Sequence, residues 1–231
     1  MKTVGLIGGM SWESTVPYYQ TINRAIGRRL GGLHSAKIAL YSVEFDEIEK
    51  LQHAGKWEES GEILADAARA VRRAGADFIV LCTNTMHKVA PQIEAAVDVP
   101  LLHIADATAA RVKGAGVTRV GLLGTRFTME EAFYRGRLES RHGLSVLTPP
   151  ADQRALVHGV IYRELCLGNV RAESRQAFRQ VVIGLVERGA QGVILGCTEI
   201  GVLLRPEDAP VPLFDTAAIH AEAAAEFALG D

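Results

Sequence analysis

Short apolar runs alternate along the chain with longer stretches in which apolar positions recur every three to four residues. Residues 3–7 lead into such a stretch over 16–30, and residues 36–43 into another over 61–74. The short runs predict strands, the long stretches predict amphipathic helices, and their alternation predicts a parallel α/β architecture. Residues 78–81, 120–123 and 193–195 are apolar at nearly every position. That is the pattern of strands covered by helices on both faces. Residues 44–62 mix acidic and basic side chains and read as solvated helical surface.

Comparison of the chain with itself sharpens this picture. Val4-Gly5-Leu6-Ile7-Gly8 recurs 116 residues later as Val120-Gly121-Leu122-Leu123-Gly124. Gly75-Ala76-Asp77-Phe78-Ile79-Val80-Leu81 recurs 114 residues later as Gly189-Ala190-Gln191-Gly192-Val193-Ile194-Leu195. Val99-Pro100-Leu101 recurs 112 residues later as Val211-Pro212-Leu213. Three matches in one order, with a slowly drifting offset, predict two copies of one strand-helix unit. The expected lobes are residues 1–100 with 210–231, and residues 101–209. Residues 103–113 hold no Pro/Gly/Ser-rich linker, so the lobes are expected to pack together rather than hang on a tether. Residues 147–152 carry turn signals and read as a loop within the second lobe.

Composition narrows the class of protein. At 231 residues with 48% apolar content, the chain can bury a sizeable core. Its 25 basic and 27 acidic residues form no long block of one sign, which argues against nucleic acid as a partner. The apolar run after Lys2 stops at Gly8-Gly9, too short for a signal-peptide core, and no segment is long enough to span a membrane. Cys82, Cys166 and Cys197 give an odd count without metal-ligand spacing, so neither a disulfide scaffold nor a metal site is expected. The expected compartment is the cytoplasm.

In parallel sheets, ligands bind beyond the carboxyl ends of strands, and the repeat locates those ends. Thr83 and Cys197 occupy equivalent positions, 114 residues apart, while Cys82 pairs with Gly196. A thiol just past a strand and at a helix start has its thiolate favoured, which suits Cys197 to act as base or nucleophile. Free cysteines are more often inert packing, but the place of Cys197 in the repeat favours chemistry. Cys82 should face the opposite side and pack, and Cys166 carries no local signal. Asn84, Thr85, Thr125 and Thr198 could offer donors to a carboxylate or simply cap helices. His87 could orient a catalytic group or satisfy a backbone carbonyl. Glu199 could meet a substrate ammonium or favour a helix start by its charge. The glycine turns after residues 7 and 123 suggest close backbone approach to a ligand, but neither has nucleotide-binding spacing.

The motifs Gly8-Gly9-Met10-Ser11-Trp12-Glu13-Ser14-Thr15, Tyr18-Tyr19, Ile22-Asn23, Asn84-Thr85-Met86-His87, Gly124-Thr125 and Gly196-Cys197-Thr198-Glu199 resemble those of the aspartate/glutamate racemase family. These are cofactor-independent amino-acid racemases, and the resemblance runs along nearly the whole chain. It implies two pseudo-symmetric lobes, an active site in the cleft between them, a homodimer, and two opposed cysteines acting on an acidic amino acid. The family's first motif usually reads Cys-Asn-Thr-x-His, whereas this chain has Thr83 at its head, placing it in a subgroup with threonine instead of the first cysteine. Met10 and Gln52 match positions at which relatives contact substrate.

The expected function is racemisation or epimerisation of aspartate or glutamate without pyridoxal. Cys197 would be the base and Thr83 the group on the opposite face, with Asn84, Thr85, Thr198 and Glu199 holding the substrate's carboxylate and ammonium. Two alternatives are a one-thiol decarboxylase of malonate-type acids and a catalytically silent module that binds a small acid.

Overall fold

The computed structural model describes residues 1–230. Its strands form two four-stranded parallel sheets. The first contains β1 (Val4–Gly8), β2 (Ile38–Ser42), β3 (Phe78–Leu81) and β4 (Leu101–Leu102), in the order β2-β1-β3-β4. The second contains β5 (Arg119–Gly124), β6 (Ser145–Leu147), β7 (Gly192–Gly196) and β8 (Leu213–Asp215), in the order β6-β5-β7-β8. Helices join successive strands, as parallel pairing requires. Two compact units result among the described residues: 1–103 with 220–230, and 104–219.

The internal repeat is visible in the hydrogen-bond register. Val4 stands opposite Phe78 in the first sheet and Val120 opposite Gly192 in the second. Ile79 pairs with Leu101, and Val193 with Leu213. Each pair maps onto the other at the offsets read from the sequence. Gly75 and Gly189 both close a helix-to-strand turn at positive φ, 93° and 94°. Only glycine adopts that conformation without cost.

Apart from Arg119 at the start of β5, the central strands are buried, and alternation along them sorts residues between faces. In the second unit, Leu123, Val193, Leu195 and Cys197 pack with Val181, Val182 and Leu185 of the helix Ala172–Glu187. Val120, Leu122 and Ile194 join the opposite cluster with Ile104, Val112 and Leu138. In the first unit, Ile7, Ile79 and Leu81 pack with Leu64, Ala68 and Val71 of the helix Trp57–Arg73. Gly5 and Gly121 permit these matching contacts. A methyl group on Gly5 would stand 2.7 Å from the Ala76 Cβ, and one on Gly121 would stand 2.8 Å from a Leu185 Cδ1.

The unit boundaries differ from those expected. Leu101–Leu102 pairs with β3 and therefore stays with the first sheet. Leu213–Asp215 pairs with β7, so residues 210–219 stay with the second. The crossing falls within the helix Thr216–Leu229, where continuous helical periodicity leaves no mark in the sequence. Ser145–Leu147 is a strand too short for its alternation to be read.

Candidate functional site

The first residue past β7 is Cys197, 8% exposed. Its thiol donates to Glu199 Oε2 at 2.9 Å, and the Thr198 hydroxyl donates to the same oxygen at 2.9 Å. Burial pushes the Cys197 thiol well above its usual range, and the negative charge of Glu199 beside it pushes it further in the same direction. This corrects the expectation that a helix start favours the thiolate. The helix that follows, Ile200–Leu203, has only four residues and begins three positions later. One carboxylate oxygen of Glu199 thus accepts from both the thiol and the neighbouring hydroxyl. The pair is a thiol and a carboxylate poised to share one proton.

Thr125 follows β5, the neighbour of β7 whose last residue, Gly124, pairs with Gly196. Thr125 and Cys197 are thus the first residues beyond two adjacent strand ends. Thr125 caps the helix Arg126–Glu130, its hydroxyl oxygen accepting from the Thr128 backbone N–H at 3.3 Å.

In the first unit, Thr83 and Asn84 follow β3 and lead into a 3₁₀ turn at Thr85–Val89. All three polar residues, Thr83, Asn84 and Thr85, are buried. Asn84 makes no side-chain cap to the turn. Cys82 is fully buried with its sulfur directed at the Val80 carbonyl, 3.8 Å away, and burial pushes its thiol far up. Strand alternation separates it from Thr83, as the repeat implied. Gln52 and Met10 are buried in the same unit, and Gln52 Nε2 approaches Met86 Sδ at 2.9 Å.

At the glycine turns, protein atoms fill the space that a side chain would take. The Thr15 hydroxyl accepts from the Gly9 N–H at 2.9 Å, Thr15 packs on Gly8, and Gly124 lies against the Gly196 carbonyl. The glycines of these turns thus admit close approach of chain to chain.

His87 satisfies a backbone carbonyl, one of the two roles the sequence offered for it, and belongs to a buried polar cluster that sequence reasoning missed. His87 Nδ1 donates to the Thr83 carbonyl at 2.7 Å, which fixes that proton on Nδ1 because a carbonyl only accepts. The His87 ring lies 4.4 Å from that of His103 and 5.9 Å from that of His220. His220 donates from Nε2 to the Leu102 carbonyl at 2.8 Å and accepts at Nδ1 from the Tyr18 hydroxyl at 2.9 Å. Burial lowers the His220 pKa to about 4, so the ring is neutral at pH 7. These partners lie up to 202 positions apart, and no local spacing announces them. Among the described residues, no group of three His, Cys, Asp or Glu could hold a metal ion. No described helix is long and apolar enough to cross a membrane.

The sequence model of the Asp/Glu/hydantoin racemases matches residues 7–224. The broad specificity amino-acid racemase RacX of Bacillus subtilis (strain 168) is 25% identical over 224 residues, 95% of each chain. A candidate Asp/Glu racemase from Yersinia pestis superposes with a TM-score of 0.92 at 58% identity, over 99% of this chain and 100% of that one. An aspartate racemase homologue from Pyrococcus horikoshii OT3 superposes at 0.83 with 35% identity, over the same shares.

Proposed function

The chain belongs to the Asp/Glu/hydantoin racemase family, and we propose that it is a pyridoxal-independent racemase of aspartate or glutamate acting by removal of the Cα proton. The observation that carries this reading is the buried Cys197 thiol hydrogen-bonded to Glu199 at the end of β7. Glu199 takes the thiol proton, and the resulting thiolate takes the proton from Cα of the L-enantiomer. The electron pair left on Cα delocalises into the α-carboxylate, whose growing charge is met by Asn84, Thr85, Thr125 and Thr198 with nearby backbone N–H groups. Thr83, or a water it holds, returns a proton to the opposite face. Met10 and Gln52 complete the substrate contacts, and the working form is a homodimer.

Cys82 is no substitute for a second catalytic thiol, since strand alternation turns its sulfur into the core toward the Val80 carbonyl and away from the Thr83 position. The two faces of the substrate therefore meet groups of very different acidity. In D2O, L-aspartate or L-glutamate should exchange its Cα hydrogen faster than it racemises, as followed by NMR and chiral chromatography. Thr83→Cys should raise inversion from both enantiomers. Equal exchange of the two enantiomers by the wild type would contradict this one-thiol scheme. The same single thiol also suits protonation after decarboxylation of a malonate-type acid; release of CO2 with no turnover of amino acids would select that reading instead.

A further inference from the structure

The second carboxylate of an acidic substrate calls for a cation of its own. Several arginines already hold an acid: Arg72 grips Asp98, Arg137 grips Asp106, and Arg175 grips Asp208. Arg126 differs. It is exposed, it follows Thr125 directly, and it meets no carboxylate among the described residues. Its helical neighbour four positions on is Glu130, the default partner at that spacing. Glu130, however, accepts from Arg154 Nε at 2.7 Å, and Arg154 is further anchored on the Pro149 carbonyl at 2.8 Å.

The guanidinium of Arg126 is also held in place. It lies over the ring of Phe127, 5.0 Å from the centroid. Phe127 stands edge-on to His158, which packs against Tyr162 with centroids 4.9 Å apart. His158 Nδ1 accepts from the Arg126 backbone N–H at 3.3 Å, tying the residue's main chain to the same shelf. Stacking on an aromatic face leaves the planar N–H fork available, and that fork matches a carboxylate in a bidentate pair.

We propose that Arg126 reads the side-chain carboxylate of the substrate and makes the site selective for a dicarboxylic amino acid over its amide. This rests on the racemase reading above. Cys197 and Thr125 are the first residues past adjacent strand ends, and Arg126 follows Thr125 at the start of its helix.

The test compares the wild type with Arg126→Gln and Arg126→Lys on aspartate and asparagine in D2O, following Cα–H exchange. In Arg126→Gln, the ratio of kcat/KM for aspartate over asparagine should fall about 30- to 100-fold, chiefly through KM, as expected for loss of a charge-assisted pair. Arg126→Lys should recover part of the ratio. An unchanged ratio in Arg126→Gln, including one in which both substrates suffer alike, overturns the proposal. If the wild type exchanges no amino acid, the racemase reading fails, and calorimetric titration with succinate and its half-amide, succinamate, decides the role of Arg126. Preference for succinate in the wild type, lost in Arg126→Gln, supports it; no preference in the wild type, or one retained in the variant, overturns it.

Discussion

Burial, and after it the charge of Glu199, raises the hold of the Cys197 thiol on its proton. Activity should therefore rise with pH as the thiol gives up that proton. Glu199→Gln separates the two effects. Removing the negative charge eases ionisation of the thiol, so alkylation of Cys197 at pH 8 should speed up. Cα–H exchange should nevertheless fall about 100-fold or more, because the amide cannot accept the thiol proton. Slower alkylation together with slower exchange would point to a disturbed fold instead. Cys197→Ala should abolish exchange. Cys82→Ala should keep most activity and lose about 1 kcal/mol or more of stability in urea titration, because its sulfur fills the core. The positions of both cysteines relative to the strand ends were legible from the repeat. The state of the Cys197 proton was not, since it depends on how deeply the thiol is buried and on the direction Glu199 takes.

Each sheet accepts its covering helix at a glycine, Gly5 in β1 and Gly121 in β5, and the repeat makes these equivalent. What a methyl would strike differs. On Gly5 it meets the Ala76 Cβ at 2.7 Å and the Phe78 carbonyl at 3.0 Å, both fixed by the backbone. On Gly121 it meets the end of Leu185, a side chain able to change rotamer. Gly5→Ala should therefore cost about 2 to 3 kcal/mol, and Gly121→Ala about 1 kcal/mol. Equal losses in denaturant titrations would mean that the helix Ala172–Glu187 cannot adjust. The strands β1, β3, β5 and β7 were legible because they are central and apolar throughout. The edges β4, β6 and β8 have two or three residues, fewer than one full alternation needs.

The chain leaves the first unit after residue 103 and re-enters it at His220, so residues 220–230 complete that unit. Lys2 N donates to the Ala228 carbonyl at 2.8 Å, Phe227 packs on Phe78, and His220 bonds Tyr18 and the Leu102 carbonyl. His220 couples this closure to pH. Its pKa lies at about 4 in the folded chain and near 6.5 when exposed, so the unfolded chain binds the extra proton between those values. Stability is full above about pH 6.5 and falls as pH drops toward 4, by up to about 3 kcal/mol from this group. Urea titrations across pH 4 to 7.5 should show that loss. His220→Gln should be less stable at pH 7.5 yet lose less on acidification; an undiminished acid loss would assign the sensitivity to other groups.

The sequence alone determined the parallel α/β class, the duplication and its register, and the strand-end positions of Thr83 and Cys197. All follow from periodicity and spacing along the chain, which pleat and helix pitch translate directly into faces and ends. The tertiary structure alone decided the protonation of Cys197, the histidine cluster behind Thr83, the unit that owns residues 210–219, and the freedom of Arg126 from Glu130. Each depends on which distant groups burial brings together, and hydrogen bonds between residues 118 or 202 positions apart leave no trace in local pattern.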